Sequence, residues 1–162
     1  MSIPNYGWDR LVNLSNLNLS NARFAGKIPV GIFRLTKLTF LDLSYFHGEF
    51  GGLSLTSKPI FLRNMSSLRE LHLDYVDLLP YQNEWCGALA NFTPALEILS
   101  MIDCSLFGAT PENQFKGVFP KQIFLLKNLQ HLDISENPML FGSLPKFSDD
   151  RTCDRLVIVV IS

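Results

Sequence analysis

The sequence predicts an α/β fold, a right-handed solenoid in which about five short parallel strands form one concave sheet. The first observation is a change of period within one stretch. Leu17 and Leu19 are two residues apart, as on one face of a strand. Ile32, Leu35 and Leu38 then follow at three-residue steps, as in a tight helical turn. The second observation is recurrence, because the strand-like pattern returns four times along the chain.

The recurring unit is L-x-x-L-x-L followed by a position for Asn or Cys, which is the leucine-rich-repeat signature. Its copies begin at Leu14, Leu38, Leu68, Leu96 and Leu129. Each unit is too small to bury its own leucines, so neighbouring units must stack and share one core. The Asn or Cys position is filled in turn by Ala22, Phe46, Val76, Cys104 and Asn137. An amide there usually satisfies buried turn carbonyls, and Ala22 leaves the first unit without one.

The segments between these strands are less regular. Residues 3–13 correspond to the back half of a unit whose strand is absent. The Gly-rich segment 48–62 predicts a loop with a short strand, and a polar insert, Y-Q-N-E-W-C, follows the third unit. Leu129 stands 33 residues after Leu96, and Leu106-x-Gly108 and 115–120 resemble two copies of one half-unit. The simplest interpretation is that a strand was lost between residues 108 and 115. The last unit is expected to close with Gly142-S-Leu144-Pro145.

Residues 3–147 are predicted to form the repeat domain, which is partial and carries no cap at either end. Residues 148–162 form a divergent C-terminal tail. The tail ends in a β-branched apolar run, residues 156–161. This run could be an aggregation-prone uncovered edge, or it could pair as a terminal strand, and the sequence does not decide between them.

Composition excludes several function classes. The chain has 162 residues, 47% hydrophobic and 18% charged, which is typical of a globular domain. A net charge of −1 gives no basic surface for nucleic acid. The N-terminus has no signal peptide pattern, and the longest apolar run is far shorter than the roughly 20 residues that span a bilayer. No catalytic motif is present, so we expect no enzyme activity, no cofactor and no metal site.

The strand positions between the leucines should face solvent on the concave side and form a ladder for partner binding. The predicted ladder and its flanking members are Asn18, Asp42, Tyr45, Glu70, His72, Asp74, Tyr75, Ser100, Ile102, Asp103, His131 and Asp133. His72 and His131, with the neighbouring aspartates, could be drawn into a metal or acid–base site. They belong to strands at least two units apart, so solvated ladder residues are the favoured interpretation.

Other residues carry two interpretations each. Asn13, Asn64 and Asn91 begin N-x-S/T triplets and are glycosylation candidates, although an Asn- and Ser-rich repeat also produces such triplets by chance. Cys86 and Cys104 could pair in a disulfide, or Cys104 could fill its buried position as a small apolar residue. Cys153 has no evident partner. Trp8 is expected to pack in the core, whereas Trp85 could be a contact residue or be buried under the insert.

Three stretches resemble plant leucine-rich-repeat receptor-like proteins of the disease-resistance type. They are L-N-L-S-N-A-R-F-A-G-K-I-P, then L-R-E-L-H-L-D-Y-V-D with N-E-W-C-G-A-L, then L-Q-H-L-D-I-S-E-N-P-M-L-F-G-S-L-P-K-F. The resemblance implies recognition of a protein, peptide or microbial ligand on the extracellular side of the plasma membrane. It also implies signalling through a receptor-kinase co-receptor. The chain would correspond to an N-terminal ectodomain fragment.

Three alternatives share the repeat. A soluble inhibitor of a secreted microbial enzyme usually has near-uniform units of about 24 residues, which the insert after Leu78 disfavours. A truncated remnant without binding function is favoured by the missing caps and the long fourth interval. The ectodomain of a receptor kinase would be distinguished by a kinase encoded downstream.

Overall fold

The computed structural model describes residues 1–45, 52–55, 57–78, 82–104, 117–118, 121–138, 140–141 and 155–161. The strands are β1 (Asn16–Asn18), β2 (Gly26–Lys27), β3 (Phe40–Asp42), β4 (Leu53–Ser54), β5 (Glu70–His72), β6 (Ile98–Ser100), β7 (Gly117–Val118), β8 (His131–Asp133), β9 (Leu140–Phe141) and β10 (Ile158–Val160). The α-helix is α1 (Gln82–Phe92). The fold is therefore mixed α/β, as predicted.

Six strands form one parallel sheet in the order β1-β3-β5-β6-β8-β10. The sheet has one strand more than the five that the sequence predicted. The additional strand is β10, from the β-branched run near the C-terminus, which pairs in parallel with β8. It lacks the L-x-x-L-x-L pattern, so only its β-branched composition indicated a strand. The described part of this run thus forms a terminal strand, while Val157 and Ile161 beside it stay exposed.

The register places the middle residue of each strand in one apolar row: Leu17, Leu41, Leu71, Leu99, Leu132 and Val159. The four inner members are at most 1% exposed. Leu17 and Val159, at the two ends, are only half-buried. Each inner leucine is covered by a neighbour on both sides, which explains why apolar burial is complete only inside the row.

Short helices lie on the other side of this core. Four 3-10 helices, Trp8–Arg10, Val30–Arg34, Pro59–Asn64 and Lys121–Leu125, form a row in which α1 stands between the third and the fourth. The three-residue step of Ile32 and Leu35 is thus a 3-10 turn, as predicted. Residues 82–86 of the polar insert form the beginning of α1. Aromatic rings connect these helices, since Phe33 stacks on Phe61 at 3.9 Å and Phe61 meets Trp85 edge-on at 5.8 Å.

Two small parallel pairs, β2 with β4 and β7 with β9, lie outside the large sheet. Strand β4 is the short strand predicted in the Gly-rich segment. In the large sheet β6 pairs directly with β8, so the sheet passes without interruption across the long fourth interval. Phe46, the half-unit at 106–108, the segment 142–145, the 147/148 boundary and Cys153 lie outside the described residues. In the described ranges, none of the helices combines the length and the apolar character that a bilayer span requires.

Candidate functional site

The face of the large sheet opposite the leucine row carries the predicted ladder; we name it the ladder face. The third residue of each strand forms its first row: Asn18, Asp42, His72, Ser100, Asp133 and Val160. The structure thus brings all five predicted ladder positions into a single register row. Val160 extends this row onto β10, the terminal strand that the sequence left undecided.

The first residue of each strand forms a second row on the same face: Asn16, Phe40, Glu70, Ile98, His131 and Ile158. Glu70 and His131 were predicted here, but half-buried Phe40 and Ile98 were missed. Their position, directly before the second leucine of the pattern, could have identified them. Apolar residues in a leucine-rich stretch suggest core, and only the register places these two on the ladder face.

Two further rows follow the strands. The first contains Ser20, Ser44, Asp74, Ile102 and Ser135, and the second contains Asn21, Tyr45, Tyr75, Asp103 and Glu136. Backbone bonds continue the parallel pattern into these rows, for example from Tyr45 N to Asp74 O at 2.9 Å and from Tyr75 N to Ile102 O at 2.7 Å. The flanking members predicted from the sequence therefore lie beside the ladder, and these two rows complete the four rows of the ladder face.

Three ladder side chains also fix the turn that follows their own strand. Asn18 Oδ1 accepts from the Ser20 N–H at 2.9 Å, and Asp42 Oδ1 accepts from the Ser44 N–H at 2.9 Å. Asp133 Oδ1 accepts from the Ser135 N–H at 3.0 Å and from its hydroxyl at 2.7 Å. These are Asx-type turns, which an Asn or Asp side chain forms with the backbone two residues on. One side-chain oxygen of each of these three residues is thereby held in place.

Ser100 differs from the prediction that all ladder positions face solvent, because it is only 8% exposed. Its hydroxyl donates to Asp74 Oδ1 at 2.6 Å, and the same oxygen accepts from the Ile102 N–H at 3.0 Å. Asp74 comes from the preceding unit, 26 residues earlier, and lies over the serine. Ser100 therefore positions the Asp74 carboxylate and presents little surface of its own.

The centre of the face carries an imidazole between a carboxylate and an aromatic ring. His72 Nε2 lies 2.8 Å from Glu70 Oε1, and the Phe40 and His72 ring centroids are 5.9 Å apart. Among the described residues no group of three or more His, Cys, Asp or Glu side chains could hold a metal ion. His72 and His131 are ladder members on β5 and β8, with β6 between them.

Tyr75 marks a strained turn at the edge of the face. Its φ is +61°, and Asp103 and Glu136 at the same point of the next units have φ of +46° and +56°. Non-Gly residues rarely adopt this left-handed conformation. The Tyr75 hydroxyl lies 3.4 Å from Glu136 Oε2, and its pKa is raised by partial burial and by that carboxylate.

Beneath the face, the Asn or Cys position joins successive units. Asn137 is 3% exposed, and its amide donates to the carbonyls of Met101 at 2.8 Å and Ile134 at 2.9 Å. Asn137 Oδ1 accepts from the Cys104 N–H at 3.0 Å. One unit earlier, the Cys104 thiol donates to the Leu73 carbonyl at 2.8 Å, the counterpart of the Met101 carbonyl. Both residues therefore satisfy a carbonyl of the preceding unit.

The disulfide considered for Cys86 and Cys104 is not formed, because both are free, buried thiols. Cys86 lies in α1, whereas the Cys104 thiol is engaged with the Leu73 carbonyl on the far side of the core. Burial raises the pKa of Cys86 to about 12 and that of Cys104 well above its ordinary value. Cys104 thus fills its position as a small buried residue that also donates a hydrogen bond.

Trp85 is fully buried against Phe61 and is not a surface contact residue. Its indole Nε1 has no hydrogen-bond partner among the described residues. Trp8 packs against the core, as expected, and its Nε1 donates to the Pro4 carbonyl at 2.7 Å.

The three glycosylation candidates, Asn13, Asn64 and Asn91, are exposed and lie away from the ladder face. Asn13 precedes β1, Asn64 ends a 3-10 helix and Asn91 lies in α1. Asn13 Oδ1 accepts from Lys37 Nζ at 2.7 Å. Their exposure leaves room for a glycan, and their modification stays a prediction.

The sequence matches plant receptors. Receptor-like protein 6 of Arabidopsis thaliana is 31% identical over 159 residues, which cover 93% of this chain and 14% of that protein. Receptor-like protein Cf-9 of Solanum pimpinellifolium is 32% identical over 123 residues, which cover 73% of this chain and 12% of that protein. Receptor protein-tyrosine kinase CEPR1 of Arabidopsis thaliana is 32% identical over 128 residues, which cover 78% of this chain and 11% of that protein.

No family model and no solved structure matches the chain. The matched relatives are much longer, since the chain spans about one seventh of Receptor-like protein 6 (14%). Four other receptor-like proteins of Arabidopsis thaliana match at 30% to 34% identity. This chain is a relative of the plant leucine-rich-repeat receptor-like proteins.

Proposed function

We propose that the ladder face recognises a protein or peptide ligand as part of a plant cell-surface receptor-like protein, on the extracellular side of the plasma membrane. One observation carries the proposal: polar and aromatic side chains from five of the six parallel strands lie in register on a single face. The leucine row beneath holds these strands in place, so the face is a preformed surface rather than a set of independent loops. The proposal includes the right-handed solenoid with a concave sheet, and it assigns no catalytic role and no cofactor.

Signalling would be delegated to a kinase partner, as the resemblance implies. A second candidate is the extracellular part of a receptor kinase, because CEPR1 is among the matched proteins. The genomic sequence downstream of this reading frame distinguishes the two, since only the second encodes a kinase on the same chain.

The location of the binding surface can be tested by selection of peptides from a random display library against the secreted, purified chain. Selected peptides are then measured against the variant Phe40→Ala/His131→Ala on the ladder face. The matched control is Tyr6→Ala/Lys127→Ala, which removes one exposed aromatic ring and one basic side chain elsewhere. We expect a loss of about tenfold or more for the ladder variant, as for interface residues worth about 1.4 kcal/mol. Equal affinity for both variants would show that recognition occurs on another surface.

The kinase partnership needs a separate experiment. The chain is expressed in leaves within a membrane-anchored receptor-like protein, and co-purified kinases are quantified before and after treatment with a pathogen culture filtrate. We expect recovery of a receptor kinase that rises on treatment and depends on the ladder face. A receptor that recovers no kinase under either condition contradicts the signalling part of the proposal.

A further inference from the structure

Charge is distributed unevenly between the ladder face and the rest of the chain. The whole chain is nearly neutral, with 15 acidic and 14 basic residues. None of the Lys and Arg residues falls in the four rows of the ladder face. Six carboxylates do: Asp42, Glu70, Asp74, Asp103, Asp133 and Glu136. The face is therefore acidic although the chain is not.

The hydrogen bonds of Asp42, Asp74 and Asp133 leave the charge of these three carboxylates largely uncompensated. Asp42 accepts from a backbone N–H, Asp74 from a hydroxyl and an N–H, and Asp133 from an N–H and a hydroxyl, all of which are neutral donors. Within the described part of the chain, none of the three forms an ion pair with Lys or Arg. On the same face, Glu70 Oε1 lies 2.8 Å from His72 Nε2. Neighbouring carboxylates that are partly shielded from solvent on one face reinforce each other's negative electrostatic potential.

The carboxylates are also spaced for a ligand that crosses the strands. Each of the four central strands, β3, β5, β6 and β8, contributes at least one, either within the strand or in the turn after it. Three steps between neighbouring strands span about 14 Å, the length of four or five residues of extended chain. Phe40, Tyr45 and Tyr75 lie half-buried among them, and their ring faces can attract cations.

We propose that the ladder face takes an extended polypeptide segment rich in lysine or arginine, which crosses strands β3, β5, β6 and β8. This rests on the proposed function, because it names the partner class for the same face. The occupant follows from charge complementarity: a cationic segment meets carboxylates along its length, whereas an acidic one is repelled. Because the carboxylates are distributed over four neighbouring strands, the bound segment would run across the sheet rather than along its edge.

The test uses a blocked lysine–serine octapeptide and its glutamate–serine counterpart, titrated against the full chain at about 20 mM and 200 mM NaCl. The ladder variant is Asp42→Asn/Asp133→Asn. Asparagine keeps the oxygen that holds each turn, as Asn18 does with Ser20 in the first unit. The matched control is Asp9→Asn/Glu84→Gln, which removes two exposed carboxylates outside the ladder face. Thermal melts establish that both variants are folded.

We expect the lysine peptide to bind more weakly at the higher salt concentration and the glutamate peptide not to bind. The ladder variant should lose about fivefold in affinity and the control less than twofold. Equal losses in both variants would reduce the effect to net charge and overturn the inference. Absence of lysine-peptide binding at low salt would overturn it as well. Library peptides that still depend on Phe40 and His131 would then leave the proposed function intact.

Discussion

Replacement of Asn137 by alanine should destabilise the fold by about 3 kcal/mol. The side chain is 3% exposed and contributes to hydrogen bonds with the Met101 carbonyl, the Ile134 carbonyl and the Cys104 N–H. Alanine leaves these three buried groups without that partner, and each such loss costs at least about 1 kcal/mol. Urea denaturation followed by circular dichroism measures the change in the free energy of unfolding. Hydrogen exchange of the Cys104 amide should accelerate in the variant.

Two controls separate this network from ordinary truncation. Asn16→Ala is the same chemical change at an exposed position and should cost no more than about 0.5 kcal/mol. Cys104→Ala removes the thiol donor, but the Leu73 carbonyl keeps the Val76 N–H at 3.0 Å, so its cost should stay near 1 kcal/mol. A cost of Asn137→Ala no larger than that of Cys104→Ala, or an unchanged exchange rate of the Cys104 amide, would show that the Asn137 hydrogen bonds do not stabilise the fold.

Four further predictions concern the core. In the folded chain iodoacetamide at about pH 8 should leave Cys86 and Cys104 unmodified, because burial keeps both thiols protonated; peptide mass mapping checks this against the urea-unfolded chain. The Cys86 pKa is about 12 in the folded chain and 9.0 for an unperturbed thiol, so between these values the unfolded state loses the thiol proton first. The free energy of unfolding should therefore fall as pH rises from about 9 to about 12, more steeply than in Cys86→Ala. Trp85→Phe should cost under about 1.5 kcal/mol, because it removes an unpaired buried N–H, whereas Trp85→Ala should cost about 3–5 kcal/mol. Gly31→Ala should cost about 1 kcal/mol, because the new Cβ lies 3.0 Å from Trp8 Cδ1, and less in a Trp8→Ala background.

Contrary results are equally specific for thiol alkylation, for Trp85 and for Gly31. Rapid alkylation of either thiol in the folded chain would mean that it is accessible. A Trp85→Phe cost as large as that of Trp85→Ala would show that the indole N–H is engaged in the native state. An unchanged Gly31→Ala cost in the Trp8→Ala background would show that the clash does not involve the indole.

The sequence predicted the parallel sheet because, in each of its first five strands, a leucine is followed two residues later by Leu, Met or Ile on the same face. Strand β10 has no such pair, and whether its β-branched run pairs or stays exposed depends on the neighbouring strand β8. The 3-10 turns followed from three-residue spacing. The disulfide considered for Cys86 and Cys104 is not formed, because α1 and the Cys104 turn hold the two thiols at separate places. Spacing along the chain does not reveal this separation.

The ladder row was predictable from period two alone, since alternate residues of a strand share a face. The burial of Ser100 was not, because it depends on Asp74, which belongs to the unit before. Phe40 and Ile98 were missed for the opposite reason. Their apolar character suggested the core, while the register places them opposite the leucines. The alternation within one strand therefore predicts which residues share a face, but contacts with neighbouring units determine which of them are exposed.

The half-burial of Leu17 and Val159 has a consequence for how the sheet comes apart. Each strand of the large sheet pairs only with the strands next to it in order, so the energetics approach a one-dimensional array of nearest-neighbour contacts. An inner strand is held by two such contacts and each outermost strand by one. Thermal opening should therefore fray inward from both ends. The central strands, which carry the acidic part of the ladder face, would then be the last to lose their order.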